Sequence, residues 1–344
     1  MRGRILALLF FLSPLLFSEP LTTIWSHNIR AEGGSTNGKE ILLRNGEEIL
    51  KLDKKGKIVW KRKIPHLKKA FLLPDGQVVA LTGEGNNQKL SFLNLQGYSF
   101  YQFFPGRVVS IAFRNKTVAV TTGRGELYIF SLRNSPSRLR GWRKYSFHKQ
   151  INDIAILTDG KVALAMPQEL CIFKEKSQPL FYQFGNIKRI FPLPDGGFIS
   201  LLQEGDYFYI SRHNSSGYIT WSKDFKGEAQ ALLSFYPFYC LSLVRKTGEE
   251  IEERKLVVLE SNGDVRWQRG GLLFKPIPLF LTSRGELLCT DEEGEKLLLF
   301  NGKGRFIWER KCPGNIRSSI PFDSSSVLIL YLDKIEFLEV KSTG

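Results

Sequence analysis

The residues of this 344-residue chain that could do chemistry are four histidines, four cysteines and a surplus of lysine and arginine. His27, His66, His148 and His213 are scattered, with no pair at metal-ligand spacing and no His-Glu-x-x-His run. His66 and His148 each follow a tryptophan, Trp60 and Trp142, by six residues, which marks a regularity of the fold rather than a site. A Gly-x-Ser-x-Gly nucleophile turn, a P-loop and a zinc-type cysteine pattern are all missing. Gly123-Arg124-Gly125 reads as a hairpin, since no helical pattern follows it to complete a phosphate cradle. Asp195, Asp206, Asp291 and Glu292 are the loop carboxylates from which a catalytic acid could be drawn, but such residues ordinarily shape turns. No catalytic residue, metal ligand or cofactor is therefore expected.

Cys171, Cys240, Cys289 and Cys312 allow three pairings, and spacing cannot choose among them. Buried free thiols are the expected state, with a Cys240–Cys289 or Cys289–Cys312 bridge as the alternative. Charge is the stronger signal. The formal net charge is +15, and +13 without Arg2 and Arg4. One concentration runs from Lys51 to Lys69 and holds Lys51, Lys54, Lys55, Lys57, Lys61, Arg62, Lys63, Lys68 and Lys69 against Asp53 alone. A second, around Trp142, holds Arg133, Arg138, Arg140, Arg143 and Lys144. Lys54, Lys55, Lys61, Arg62, Arg138, Arg140 and Arg143 are the candidate partner-binding residues, on a face that attracts anionic proteins, polysaccharides or headgroups.

The elements that must carry these residues come from a repeat. An apolar run, a Gly-led turn and a Trp four residues after the Gly recur at Gly56–Trp60, Gly217–Trp221, Gly263–Trp267 and Gly304–Trp308. Weaker copies extend the series of aromatic marks to Trp25, Trp60, Tyr101, Trp142, Tyr182, Trp221, Trp267 and Trp308, at intervals of 35 to 46 residues. That period suits one four-stranded blade per mark. A second marker gives the same count: tight turns at Asn37-Gly38, Asp75-Gly76, Asn115-Lys116, Asp159-Gly160, Asp195-Gly196, Tyr236-Pro237, Arg284-Gly285 and Asp323-Ser324. Asn-Gly and Asp-Gly supply the positive φ of a two-residue hairpin.

The pattern predicts an all-β, eight-bladed β-propeller of four-stranded antiparallel blades with almost no helix. The blades fall near 29–66, 67–105, 106–148, 149–185, 186–226, 227–270, 271–311 and 312–340. In 68–104 the two inner strands read as apolar on both faces, and the third alternates as a half-buried strand does. The last unit offers only three strands, and Thr23–Asn28 resembles the outer strands around Trp221 and Trp308, so residues 22–28 are expected to complete the C-terminal blade and close the ring. The charged run 246–255 is expected to be a lengthened hairpin.

The phrase Leu52-Asp53-x-x-Gly56-Lys57-x-x-Trp60 resembles the tryptophan-docking repeat of the pyrroloquinoline-quinone-like (PQQ-like) β-propellers. The resemblance implies that the outer-strand tryptophans pack between adjacent blades beside the glycine turns. That family includes quinoprotein dehydrogenases and the lipoprotein component of the outer-membrane β-barrel assembly machinery, and eight blades at this length are closer to the latter. The adjacent cysteine pair that the dehydrogenases carry beside their cofactor is not present here.

Arg2, Arg4, the apolar run Ile5–Phe17 and Ser18 make a secretory signal over residues 1–18, leaving 19–344 as one domain. The run is too short to span a bilayer, which needs about 20 residues. No cysteine precedes Cys171 to carry a lipid anchor. The expectation is a monomeric, periplasmic or secreted scaffold for a protein or anionic cell-envelope partner. It would have no nucleic-acid partner and, once processed, no membrane span. The alternative is an enzyme with its site at the channel mouth, acting on a small molecule or saccharide.

Overall fold

A computed structural model of the chain describes residues 19–93, 99–131, 143–174, 177–235, 237–247 and 250–341. The signal-like segment, Arg138, Arg140 and Trp142 lie outside these residues. The described residues form eight four-stranded antiparallel sheets and no helix. Blade 1 runs through Gly33–Thr36, Glu40–Asn45, Glu48–Asp53 and Ile58–Lys63. Blades 2 to 7 follow over 67–104, 108–146, 153–183, 187–226, 228–269 and 277–311. In blade 6 the second and third strands, Phe238–Thr247 and Glu250–Glu260, are the longest of the ring, so the charged excursion is a lengthened hairpin.

Blade 8 takes three strands from the C-terminal stretch, Ile316–Pro321, Ser326–Tyr331 and Ile335–Val340, and its fourth from Leu21–His27. Leu21 pairs with Val340 and His27 with Ile335, and the Lys341 N–H donates to the Pro20 carbonyl at 2.8 Å. Trp25 stacks on Phe337 with ring centroids 5.3 Å apart. The ring is thus shut by the two ends of the chain, and the C-terminal strand Ile335–Val340 is paired on both sides rather than left as an edge.

Each pair of neighbouring blades encloses its own apolar cluster. Eight clusters seal eight interfaces, including the one between blades 8 and 1, where Leu328, Leu330 and Ile335 meet Ile41, Leu43 and Leu52. Burial corrects the expected strand roles. The second and third strands of a blade are covered on both faces: all of Val162–Met166 and all of Ser326–Tyr331 are buried, and even the polar Ser91 of Asn87–Leu93 is buried. The innermost strands are instead half open, because one side lines the axial channel; Lys68 and Lys69 are exposed in Leu67–Leu72.

Asn115-Lys116 is a two-residue hairpin as expected, with Arg114 paired to Thr117 and Asn115 at φ 52°, but four other first-to-second turns are longer. In Leu73–Gln77 the Gly76 N–H donates to the Leu73 carbonyl and the Leu73 N–H to the Gln77 carbonyl. Gly76 has φ 82°, so this is a three-residue loop with a left-handed glycine. The same bonds recur at 157–161, 193–197 and 282–286 between first and second strands, and at 53–57, 214–218, 260–264 and 301–305 between third and fourth. Asp53, Asn214 and Asn301 fix the latter set by accepting two backbone N–H groups each. His66 and His148 are themselves left-handed, φ 56° and 54°, at equivalent links between blades. Because strands alternate in direction, these two turn sets share one face, called upper here. The second-to-third turns and the inter-blade links form the lower face.

Candidate functional site

The marked aromatics lie on the outer strands, and four of them dock on the next blade. A Cβ on Gly56 would lie 2.8 Å from Trp25, one on Gly217 2.8 Å from Tyr182, one on Gly263 2.6 Å from Trp221, and one on Gly304 2.7 Å from Trp267. The aromatic of one blade therefore covers the glycine of the following blade's phrase, not the glycine of its own. Polar atoms complete three of these contacts: Trp25 Nε1 donates to the Lys54 carbonyl (3.0 Å), Trp221 Nε1 to that of Ser261 (2.9 Å) and Tyr182 Oη to that of Ser216 (2.6 Å). Trp308 faces blade 8, whose third-to-fourth turn is replaced by the chain ends, and packs in that interface without a glycine partner among the described residues. Trp60 packs against the cluster of blades 1 and 2. Tyr101 lies in Ser99–Phe104, paired with Ser91, and its side chain is outside the described residues.

The candidate basic residues do not converge. Lys54 sits on the upper face, 3.6 Å from Asp323 and over the Phe322 ring, with Lys55 exposed beside it. Lys61 and Arg62 are on the rim strand of blade 1, Lys61 paired with Glu48 at 2.9 Å, and Arg143 is on the rim strand of blade 3. Lys51, counted in the same basic segment, is not on the surface. Its Nζ is buried against Glu40 (2.9 Å) and the Gly76 carbonyl (3.0 Å).

A different set is arrayed around the lower mouth of the channel. Lys68 and Lys69 of blade 2, Lys188 and Arg189 of blade 5, and Arg317 of blade 8 are exposed near the lower ends of their innermost strands. Each of these strands carries a β-bulge there: Leu67 and Lys69, Ile187 and Arg189, and Ile316 and Ser318 are paired, while Lys68, Lys188 and Arg317 are not. A bulge re-aims its side chain. Among the described residues none of the five cations is ion-paired. Of the acids at this level, Asp153 is buried and accepts from Ser110 Oγ and the Ile190 N–H, Glu32 is paired with Arg44, and Glu228 of blade 6 is exposed. Sequence reading missed this set because its members come from blades 2, 5 and 8. The available signal was a basic doublet opening two otherwise apolar inner strands, Leu67-Lys68-Lys69 and Ile187-Lys188-Arg189.

The ring is not equally tight around the channel. Innermost strands of neighbouring blades pack closely at six interfaces and diverge at two, between blades 2 and 3 and between blades 5 and 6. Side-chain bonds stitch the inner strands elsewhere, such as Leu72 N–H to Ser35 Oγ, Asn152 Nδ2 to the Ile187 carbonyl and Ser319 Oγ to the Leu279 carbonyl. At the blade 5–6 divergence lies an open cavity of about 610 Å³, with Lys188, Arg189, Glu228 and Gln230 on its polar side and Phe191, Leu201, Phe208 and Leu232 on its apolar side. A second cavity of about 270 Å³ shares Gln203 and Glu228 with it and reaches Asp206, Lys226 and Lys246.

No family model and no curated protein matches the chain. Solved structures do match in shape. BamB from Moraxella catarrhalis is 12% identical, with TM-score 0.63 over 93% of this chain and 99% of that one. The C-terminal WD40 domain of Sif2 is 11% identical, with TM-score 0.66 over 94% and 99%. A streptogramin B lyase is 12% identical, with TM-score 0.55 over 93% and 97%. At these identities what is shown is the fold.

The other chemistry-bearing residues serve the fold. His213 is buried, stacked on Phe198 at 4.5 Å, with Nε2 bonded to Ser200 Oγ (2.8 Å) and Nδ1 to the Gly217 carbonyl (3.0 Å). Burial holds its pKa below the ordinary imidazole value, and this hydroxyl–imidazole pair is closed to a substrate. Asp195 caps Gly197 and pairs with Arg212, while Asp291 accepts from the backbone of Glu295 and Lys296. Glu292 stands 4.0 Å from Lys275, and Asp206 lines the smaller cavity. The four cysteines are free thiols: burial pushes Cys171 up to about 12 and Cys312 to about 11, and raises Cys240 and Cys289 as well. No cluster of potential metal ligands occurs among the described residues.

Proposed function

We propose that this chain is an exported, non-enzymatic scaffold that holds a protein or other anionic cell-envelope partner at the lower mouth of its channel. The observation that carries the reading is the group of five exposed cations on the innermost strands of blades 2, 5 and 8, none of them ion-paired among the described residues. Such a group sets up a positive field over a concave, protein-walled opening, and it is held on strands braced by eight buried interfaces. Shape likeness to BamB and to WD40 domains suits a scaffold, and the Gly-to-Trp phrase supports a place among PQQ-like propellers. Export is supported by Arg2, Arg4 and the apolar run Ile5–Phe17. The cavity that best fits a channel-mouth enzyme brings Lys188, Arg189 and Glu228 together, but on an exposed wall and without a nucleophile–base pair among its lining residues, so binding is the chemistry it supports.

Labelled poly-L-glutamate tests this by fluorescence anisotropy at low and moderate salt. The Lys68→Glu/Lys69→Glu/Arg317→Glu variant is expected to weaken binding by about tenfold or more, and added salt to weaken the wild type. Lys303→Glu/Arg305→Glu on the upper face is expected to have little effect. Equal loss from both variants would refute a role for the lower mouth.

A further inference from the structure

We infer that the seam between blades 5 and 6 is a peptide-anchoring site, taking an acidic segment of a partner protein with one aromatic or large aliphatic side chain seated in the larger cavity. The inference rests on the reading that the lower mouth binds an anionic partner, and adds to it the location and chemical class of the anchor.

Three independent features meet there. The innermost strands Ile187–Pro192 and Glu228–Phe235 diverge, as do those of blades 2 and 3, whereas the other six pairs pack closely, so the channel side of this seam is open above its buried cluster. The gap is two-sided in character: Phe191, Leu201, Phe208 and Leu232 form an apolar floor, and Lys188 and Arg189 stand exposed at its edge. Bulges on both facing strands place Lys188 and Gln230 as unpaired residues on opposite sides of the opening. An apolar floor under a basic edge matches a side chain that brings carboxylates beside it, and would leave a purely charged polymer without an anchor.

The shape selects an extended chain. The cavity of about 610 Å³ opens to solvent, and its smaller neighbour continues along the same seam toward Lys226 and Lys246. A compact anion would use one end only. A peptide can seat its anchor on the floor, set acidic neighbours against Lys188 and Arg189, and run outward past Lys226. Glu228 stands where the two cavities join and disfavours an acidic residue at that one point, which gives the site a register.

The test uses two fluorescein-labelled peptides, one carrying the run Asp-Glu-Phe-Asp-Glu and one with serine in place of the phenylalanine, each titrated with the full protein. The phenylalanine peptide is expected to bind about tenfold more tightly, the effect of burying one aromatic ring. Gln230→Trp, which fills the opening from an exposed bulge, is expected to abolish that preference and leave the serine peptide's affinity unchanged. Lys188→Glu/Arg189→Glu is expected to weaken both by about tenfold or more. Should Gln230→Trp disturb folding, as judged by circular dichroism, the near-isosteric Gln230→Glu is expected to weaken both peptides by charge alone. Equal affinity for the two peptides, with Gln230→Trp inert, would overturn the anchor and leave the electrostatic scaffold standing. Failure of both peptides and of poly-L-glutamate to bind at low salt would overturn both readings. Binding to phosphatidylglycerol vesicles with neither peptide bound would overturn the anchor in favour of a lipid surface.

Discussion

Gly304 and Gly160 have nearly the same backbone, φ +74° and +77°, in turns with the same bonds, but only Gly304 lies under an indole. An alanine Cβ at 304 would fall 2.7 Å from Trp267 Cδ2 and Cε3, whereas one at 160 would meet nothing within 4 Å. Gly160→Ala should therefore cost only the left-handed conformation, about 1 kcal/mol. Gly304→Ala pays the same and must also displace a ring that is 7% exposed and packed with Phe300 and Leu298. Overpacking of that kind adds about 1–3 kcal/mol, for a total of about 3 kcal/mol. Urea unfolding followed by tryptophan fluorescence reads the difference, with constant m-values as the check that the unfolded state has not changed. In the double variant Trp267→Ala/Gly304→Ala the glycine penalty should shrink to that of Gly160→Ala, because the obstructing ring is gone. Equal destabilisation by the two single alanine variants would refute docking of one blade's aromatic on the next blade's turn.

Other expectations follow from buried polar groups. Glu336 is buried and accepts from Arg310, Tyr331 and Lys334; burial alone would raise its pKa, but those donors outweigh it and hold the carboxyl below the ordinary 4.5. Its contribution is present above about pH 4.5 and lost as pH falls through the lowered folded value, so Glu336→Gln should cost about 2–3 kcal/mol at pH 7 and much less near pH 3, measured by unfolding across pH. Lys51→Met should lie within about 1 kcal/mol of wild type by the same assay, whereas Glu40→Gln, which strips the buried ammonium of its counter-charge, should cost about 2–3 kcal/mol. With Cys171 near 12 and Cys312 near 11, thiol labelling at pH 8 should be slow in the folded protein, the partly exposed Cys312 reacting first and the others only on unfolding.

The ring was legible because its determinants are local and repeated. A Gly-to-Trp phrase fixes a turn and an outer strand within nine residues, and four copies, extended by weaker ones to eight aromatic marks at blade spacing, leave few architectures. The likeness of Thr23–Asn28 to other outer strands was enough to place the closing strand. Contacts between blades were less legible: that Trp221 covers Gly263, not Gly217, depends on how successive sheets stack. The site was least legible of all. Counting charge along 51–69 gathered Lys51, which is buried, with Lys61, which is paired on the rim, and with Lys68 and Lys69, which reach the channel. Their counterparts Lys188, Arg189 and Arg317 lie more than 100 residues further along, and the divergence of two inner strands leaves no mark in a single sequence.

Binding at the lower mouth is tested most directly by where an acidic ligand touches the ring. Hydrogen exchange by mass spectrometry, with and without poly-L-glutamate, locates that contact. Slowed exchange at the lower ends of Leu67–Leu72, Ile187–Pro192 and Ile316–Pro321 is the expected result. Slowing confined to the upper-face turns 53–57 and 301–305, or to the rim strands, would contradict it.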